Sequence, residues 1–120
     1  MRRSIVFFLA LALALAACAK QDDAEKLAKA IVSWSSTLQL VADARLGNDV
    51  RVGYAVKTVD AAIEDLSSQA AAPSLPKSLT SRAERLIGIG GNLRRALESD
   101  DRAGIARARR ELAAEPAGSK

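Results

Sequence analysis

The stretch LAKAIVSWSSTLQLVADARLGNDVRVGYAVKTVDAAIEDL, residues 27–66, decides the fold of this chain. Apolar side chains recur in it at every third or fourth position, which is the spacing that forms one apolar stripe along an α-helix. Gly47 and Asn48 interrupt the pattern, after which it resumes. Glycine suits the left-handed conformation that closes a helix, and Asn48 or Asp49 can cap the next helix. Because so short a connection favours antiparallel neighbours, the stretch predicts a helical hairpin.

The same periodicity continues on both sides of this stretch. It predicts hairpin helices over residues 23–46 and 49–71, a third helix over 78–98 and a short fourth helix that ends near Ala114. Alanine, leucine, arginine and glutamate, all good helix formers, dominate these segments, and strand patterns are weak. The fold class predicted is therefore all-α, a small up-down helical bundle made of the hairpin, a third helix and a short fourth.

Local signals set the ends of the third and fourth helices. Two prolines between residues 72 and 77 break the chain after the hairpin. Ser81 and Glu84 have the spacing of a capping box, so the regular part of the third helix is expected to begin after Ser81. Asp100 or Asp101 is expected to cap the fourth helix.

The expected core consists of the apolar stripes of the four helices. Trp34 lies on the first stripe and is interpreted as a core anchor, whereas Tyr54 lies off the second stripe. The stripes are Leu27, Ile31, Trp34, Leu38, Val41, Ala42 and Leu46; Val52, Val56, Val59, Ile63, Leu66 and Ala70; Leu79, Ala83, Leu86, Gly90, Leu93 and Leu97; and Ile105, Ala108 and Leu112.

Three glycines, Gly88, Gly90 and Gly91, interrupt the third helix. Each costs about 1 kcal/mol relative to alanine in a helix interior, so their presence needs a reason. We interpret them as candidates for close packing against another backbone or for a kink. Ligand contact is the lesser alternative, because the run lacks the setting of a phosphate-binding loop.

The first residues have the pattern of an export signal. Arg2 and Arg3 precede an apolar run over residues 4–14, and polar residues follow from Lys20 onward. The run is shorter than the about 20 apolar residues that a membrane span needs. We therefore expect a signal helix that is removed, which would lower the formal net charge from +4 to +2.

The tetrapeptide Leu15-Ala16-Ala17-Cys18 resembles the lipobox of bacterial lipoproteins. The resemblance implies cleavage between Ala17 and Cys18, with covalent diacylglycerol and further acyl chains on Cys18 as the anchor. It also implies a protein that is exported and faces the periplasm, and Ala19 after the cysteine favours the outer membrane over the inner. The alternative is an ordinary signal peptide in which the cysteine falls there by chance.

This interpretation divides the chain into four parts. Residues 1–17 form the lipoprotein signal peptide, 18–23 the lipidated N-terminus with a short spacer, 24–114 the helical bundle domain, and 115–120 a flexible tail.

The residue inventory argues against an enzyme. The chain has no histidine, and Cys18 is its only cysteine. An acidic set on the second helix, Asp60, Glu64 and Asp65, lacks the ligand density of a calcium or di-iron site and is interpreted as a solvated face. We expect no catalytic residues, no metal and no cofactor besides the lipid on Cys18.

Arginines concentrate in the last third of the chain. From residue 76 to 112 there are nine basic and five acidic residues, against six and eight from 20 to 75. This pattern indicates either a solvated face that is partly paired with the acids of the second helix, or a surface that binds a partner. Aromatic and arginine side chains are frequent interface anchors. The candidate partner surface is Arg94, Arg95, Arg102, Arg109, Arg110 and Tyr54.

The sequence therefore predicts a small membrane-anchored envelope lipoprotein, most simply a non-enzymatic interaction or structural module. Its partners would be membrane lipid through the anchor and an envelope protein or the cell wall. Nucleic acid is not expected for an exported, tethered protein whose basic residues have no aromatic residues interleaved among them to stack bases. The alternative is a carrier of a small apolar ligand or lipid, in a groove lined by Leu86, Ile89 and Leu93.

The lipobox makes a direct prediction. Replacing Cys18 by alanine removes the thiol that would carry diacylglycerol, so labelling of the chain with radioactive palmitate in bacterial cells is expected to vanish. Ser33→Ala serves as a control and should be labelled like the wild type. A Cys18→Ala chain that still incorporates palmitate would refute the lipobox assignment.

Overall fold

The computed structural model describes the backbone of residues 2–115 and the side chains of residues 22–115. Its elements are α1 (Arg2–Leu46), α2 (Val52–Ala70), α3 (Lys77–Glu98) and α4 (Arg102–Ala114). All regular structure in this part of the chain is helical, which confirms the predicted all-α bundle. The predicted tail after Glu115 and the side chain of Cys18 lie outside the described residues.

Helix α1 is longer than the first helix predicted from the periodicity. It runs from Arg2 to Leu46, so the backbone of the expected signal segment and of the expected spacer, residues 18–23, is helical. The physical reason is composition, since alanine and leucine fill this segment and neither glycine nor proline interrupts it. Cleavage between Ala17 and Cys18 and the four-part division of the chain remain predictions.

The turn between α1 and α2 differs from the predicted one in detail. The left-handed residue is Asn48, with φ 60°, and not Gly47. The amide of Asp49 returns to the carbonyl of Ala44 at 2.7 Å and thereby satisfies the end of α1. Helix α2 begins only at Val52, and neither Asn48 nor Asp49 caps it, because Arg51 takes the N-cap position without a side-chain cap.

The periodicity predicted the start of α3 to within one residue, whereas the capping-box signal was wrong. The helix begins at Lys77, directly after Pro76, so Ser81 and Glu84 lie inside it and form no capping box. Proline is well suited to this place because its fixed φ fits a helix start. At α4 the side chain of Asp101 accepts a hydrogen bond from the amide of Gly104 at 3.1 Å, which confirms the second of the two predicted caps.

Helices α1 and α3 form the centre of the bundle. Each of them contacts all the other helices, whereas α2 and α4 contact α1 and α3 but not each other within the described residues. Helices α2 and α4 therefore lie on opposite sides of the α1–α3 pair.

The fully buried core of the described residues contains only aliphatic side chains, from alanine to leucine and isoleucine. No polar or charged residue among the described ones is buried. Most of the stripe residues of α1, α3 and α4 are buried as predicted, but α2 is rotated from the predicted orientation. Ala55 and Ala62 are buried together with Val59 and Leu66, and Val56 and Ile63 are only partly buried. This rotation follows from α2 packing against α1 and α3 at once, which buries a second row of small side chains.

The structure gives a packing role to one of the three glycines in α3. A Cβ atom on Gly90 would lie 3.3 Å from Cγ1 of Ile63 and 3.9 Å from Cδ1 of Leu38, so α3 meets α2 and α1 closely there. At Gly88 and Gly91 a Cβ atom would have nothing within 4 Å. The close-packing prediction is therefore wrong for Gly88 and Gly91. Helix α3 also continues through all three positions without interruption.

Leucine substitutions should separate these environments. Gly90→Leu places a side chain against Ile63 and Leu38 and should lower the free energy of unfolding by about 1 to 3 kcal/mol. Gly88→Leu enters open space and should raise it by up to about 1 kcal/mol through helix propensity. Urea titration of the purified full chain in a neutral detergent, followed by circular dichroism, measures both. Equal shifts for the two variants would contradict the described packing of α3.

Candidate functional site

The six residues of the predicted partner surface do not form one patch. Arg94 and Arg95 lie on α3, Arg102, Arg109 and Arg110 lie on α4, and Tyr54 lies on α2. Tyr54 and the arginines of α4 lie on helices that do not contact each other within the described residues. Tyr54 is 64% exposed, as its position off the stripe suggested.

Arg94 is committed to contacts within the bundle. Its guanidinium donates from Nε and Nη2 to the two carboxylate oxygens of Asp60 on α2, and Nη1 lies 2.9 Å from Oε1 of Glu98. The hydrogen bond to Asp60, together with the charges of Asp60 and Glu98, raises the pKa of Arg94 above its ordinary value. Arg94 therefore joins α3 to α2 as a permanent cation.

Two arginines connect the two turns at one end of the bundle. Arg102 donates to the side-chain oxygen of Asn48 at 3.3 Å and to the carbonyl of Leu46. Arg45 donates to the carbonyl of Val50 at 3.2 Å and lies 3.3 Å from a carboxylate oxygen of Asp100. The α1–α2 turn is thus joined to the α3–α4 turn by side chains from both.

Arg109 is also occupied, because its Nε donates to Oδ1 of Asp43 and joins α4 to α1. Arg94, Arg102 and Arg109 are therefore engaged within the bundle, and their place in a partner surface remains a prediction. The sequence also allowed a solvated arginine face that is partly paired within the bundle. The contacts of these three arginines, out of the six predicted residues, support that alternative.

Three arginines on the outer side of α3 and α4 keep their charge exposed. Arg95, Arg107 and Arg110 are exposed and take part in none of the ion pairs between described residues. Arg95 instead donates to the amide oxygen of Asn92 on its own helix. Arg107 was not among the predicted residues, although its spacing from Arg110 and Glu111 would have placed it on the outer face of α4.

Two adjoining clefts follow the line between α3 and α4. One has a volume of about 340 Å³ and is flanked by Arg95 and Arg107. The other has a volume of about 410 Å³ and extends toward Arg85 and Glu115, which form an ion pair at 3.4 Å. The two clefts share Asn92 and Glu111.

Trp34 lies at the boundary between core and solvent. It is half-buried, packs against the core, and its Nε1 donates to Oδ2 of Asp65 at 2.8 Å. The same oxygen accepts from Nε2 of Gln69 at 3.0 Å. Sequence reasoning missed this pair, although Trp34 and Asp65 are equally distant from the centre of the hairpin turn, which is the signal that could have found it.

The acidic set of α2 is divided among different partners. Asp60 pairs with Arg94, whereas Asp65 binds Trp34 and Gln69, and the described residues hold no group of three metal-binding side chains. The groove expected for a carrier is absent from the described bundle, because Leu86, Ile89 and Leu93 are all buried in the core. A small cleft of about 30 Å³ lies beside Leu86.

Comparison with known proteins gives no further assignment. No protein-family model, curated protein or solved structure matches the chain significantly. Within the part of the chain that the structure describes, no helix has the length and apolar character needed to cross a membrane.

The contact between Trp34 and Asp65 can be tested with the chain's only tryptophan. Asp65→Ala leaves Nε1 of Trp34 without its partner, so the emission of Trp34 should shift and the free energy of unfolding should fall by about 1 kcal/mol. The neighbouring exposed Glu64→Ala is the matched control and should change neither quantity. Fluorescence spectra and urea titration measure both, and equal effects of the two variants would refute the contact.

Proposed function

We propose that this chain is a small helical lipoprotein of the bacterial envelope, held on a membrane by acyl chains on Cys18, which acts by binding a partner and not by catalysis. The observation that carries the proposal is the tetrapeptide Leu15-Ala16-Ala17-Cys18 after a short apolar run, with no other cysteine in the chain. One acyl chain gives only marginal membrane binding, whereas two or three hold a protein firmly.

The path of α1 supports a role close to the bilayer. Leu27 is the first buried core residue among those whose side chains the structure describes, and it follows Cys18 in the same helix. At about 1.5 Å per residue, nine residues of helix span about 14 Å, so the buried core would begin about 14 Å from the lipid-bearing residue. Export, periplasmic orientation and the preference for the outer membrane that Ala19 indicates all belong to this proposal.

The side chains of the bundle favour binding over chemistry. Histidine and a free thiol would both be missing from the lipidated protein, and the carboxylates Asp43, Asp60 and Asp65 are engaged by arginine or tryptophan. The aliphatic side chains that would line a carrier groove fill the core instead. The described bundle offers exposed cations on α3 and α4 to its surroundings, and Val32, Leu40 and Tyr54 are its exposed large hydrophobic side chains.

Crosslinking in intact bacterial cells, followed by mass spectrometry, tests this role. The tagged wild-type chain should give adducts with an envelope protein or with cell-wall fragments, and Cys18→Ala should lose them because the untethered chain is no longer held beside its partner. Identical adducts from both chains would refute the role of the anchor. A lipid or other apolar molecule that copurifies with the wild-type chain in equal amount would favour the carrier instead.

A further inference from the structure

The two clefts between α3 and α4 form one groove, since Asn92 and Glu111 line both of them. The groove begins beside Ser99 at the α3–α4 turn and reaches Arg85 at the other end. Fourteen residues of helix separate these two positions, which corresponds to about 21 Å. At about 3.3 Å per residue, an extended peptide of about six residues matches this length.

Small residues leave room along the groove. Gly88, Ala96, Gly104 and Ala108 all line it, and the helices approach so closely at its turn end that a Cβ atom on Gly104 would lie 3.0 Å from Cβ of Ala96. At Gly88 a Cβ atom would meet nothing within 4 Å. Gly88 weakens α3 without a packing role inside the bundle, and its effect is to keep this part of the groove open.

Charge is distributed unevenly along the groove. Arg95 and Arg107 flank its turn end, and neither is engaged by a carboxylate. Asp101 also lies there, but its carboxylate already accepts the amide of Gly104 as the cap of α4. Glu111 and the Arg85–Glu115 pair occupy the middle and the far end. Asp101 and Glu111 line the same cleft as Arg95 and Arg107, so its formal charges balance. The turn end nevertheless offers two guanidinium groups that have no carboxylate within 4 Å and that a partner's carboxylates can pair with.

The lining favours an extended chain over a helix as the occupant. An amphipathic helix needs a row of apolar pockets, and Ile89 is the only large apolar residue that lines the groove. Ile89 is itself only 8% exposed. The amide oxygen of Asn92 and the hydroxyl proton of Ser99 are already bonded to Arg95, which leaves the amide N–H groups of Asn92 as donors and the oxygen of Ser99 as an acceptor for a peptide backbone. Arginine binds a carboxylate through two parallel hydrogen bonds.

We propose that the α3–α4 groove binds an extended segment of another envelope protein, with acidic side chains at one end that pair with Arg95 and Arg107. The inference rests on the proposed interaction role and specifies its surface and the chemistry of its partner. Arg110, exposed on α4 but outside the groove, has no part in it.

Binding of a labelled hexapeptide to the purified full chain in a neutral detergent tests the groove without depending on lipidation or cells. The probe carries two aspartates followed by four neutral residues, and a second probe has asparagines in place of the aspartates. Fluorescence anisotropy should show binding of the first probe that weakens as salt is added, and binding of the second should be about tenfold weaker. Equal affinity for the two probes would overturn the proposal.

Two pairs of variants locate the binding. Arg95→Gln with Arg107→Gln should weaken binding of the acidic probe about tenfold, whereas Arg51→Gln with Arg110→Gln removes the same charge elsewhere and should not. Gly88→Leu should fill the groove and weaken binding similarly, whereas Gly91→Leu adds the same side chain to α3 outside the groove and should leave it unchanged. Equal losses within either pair would overturn the proposal, as would unchanged binding by Gly88→Leu.

Anionic lipid headgroups are the competing occupant of the groove, and a displacement experiment distinguishes them from a peptide. Short-chain phosphatidylglycerol and phosphatidylcholine are added to the complex of the chain with the acidic probe. Neither should displace the probe if the groove selects an acidic peptide. Displacement by phosphatidylglycerol alone would overturn the proposal in favour of anionic headgroups.

Discussion

The bundle depends on the burial of aliphatic side chains against α1 and α3 without any buried aromatic ring or polar group. Burial of each leucine, isoleucine or valine contributes about 1.5 to 3 kcal/mol, and alanines and Gly90 let the helix backbones come close enough for these side chains to meet. A core of this kind is thin, and small domains have little stability in reserve. Helices α2 and α4 are therefore held on opposite sides of the α1–α3 pair. This arrangement determines where the side chains on the bundle surface lie.

The arginine-rich half of the chain has two different uses. Arg94 joins α3 to α2, Arg102 joins α4 to the α1–α2 turn, and Arg109 joins α4 to α1. Arg95, Arg107 and Arg110 remain outside these contacts. Half-exposed ion pairs each contribute only about 0 to 1 kcal/mol, so their main effect is to fix how the helices are oriented. The consequence for function is that the cations available to a partner are fewer, and lie in a narrower zone, than composition implies.

The groove between α3 and α4 connects two features that packing alone leaves unexplained. Gly88 has open space beside it, and the exposed Arg95 and Arg107 lie without carboxylate partners at the turn end of the same groove. With an anchor on Cys18 and a binding groove between α3 and α4, the N-terminus would fix the protein at the membrane and the C-terminal helices would bind the partner. Tyr54, near the start of α2, belongs to neither.

The sequence by itself determined that the chain is helical, that α1 ends at Leu46 and that Asp100 or Asp101 caps α4, because periodicity, glycine and capping act between residues a few positions apart. It also determined the residue inventory, which has no histidine and a single cysteine. Only the tertiary structure decided that Asn48 and not Gly47 turns left-handed, that α2 buries Ala55 and Ala62, and that Gly90 alone of its run is packed. It decided likewise which arginines are occupied, since Arg94 and Asp60 are 34 residues apart and Arg109 and Asp43 are 66 apart. Such pairs depend on the rotation and offset of whole helices, which are set by how the apolar faces fit together and not by local spacing.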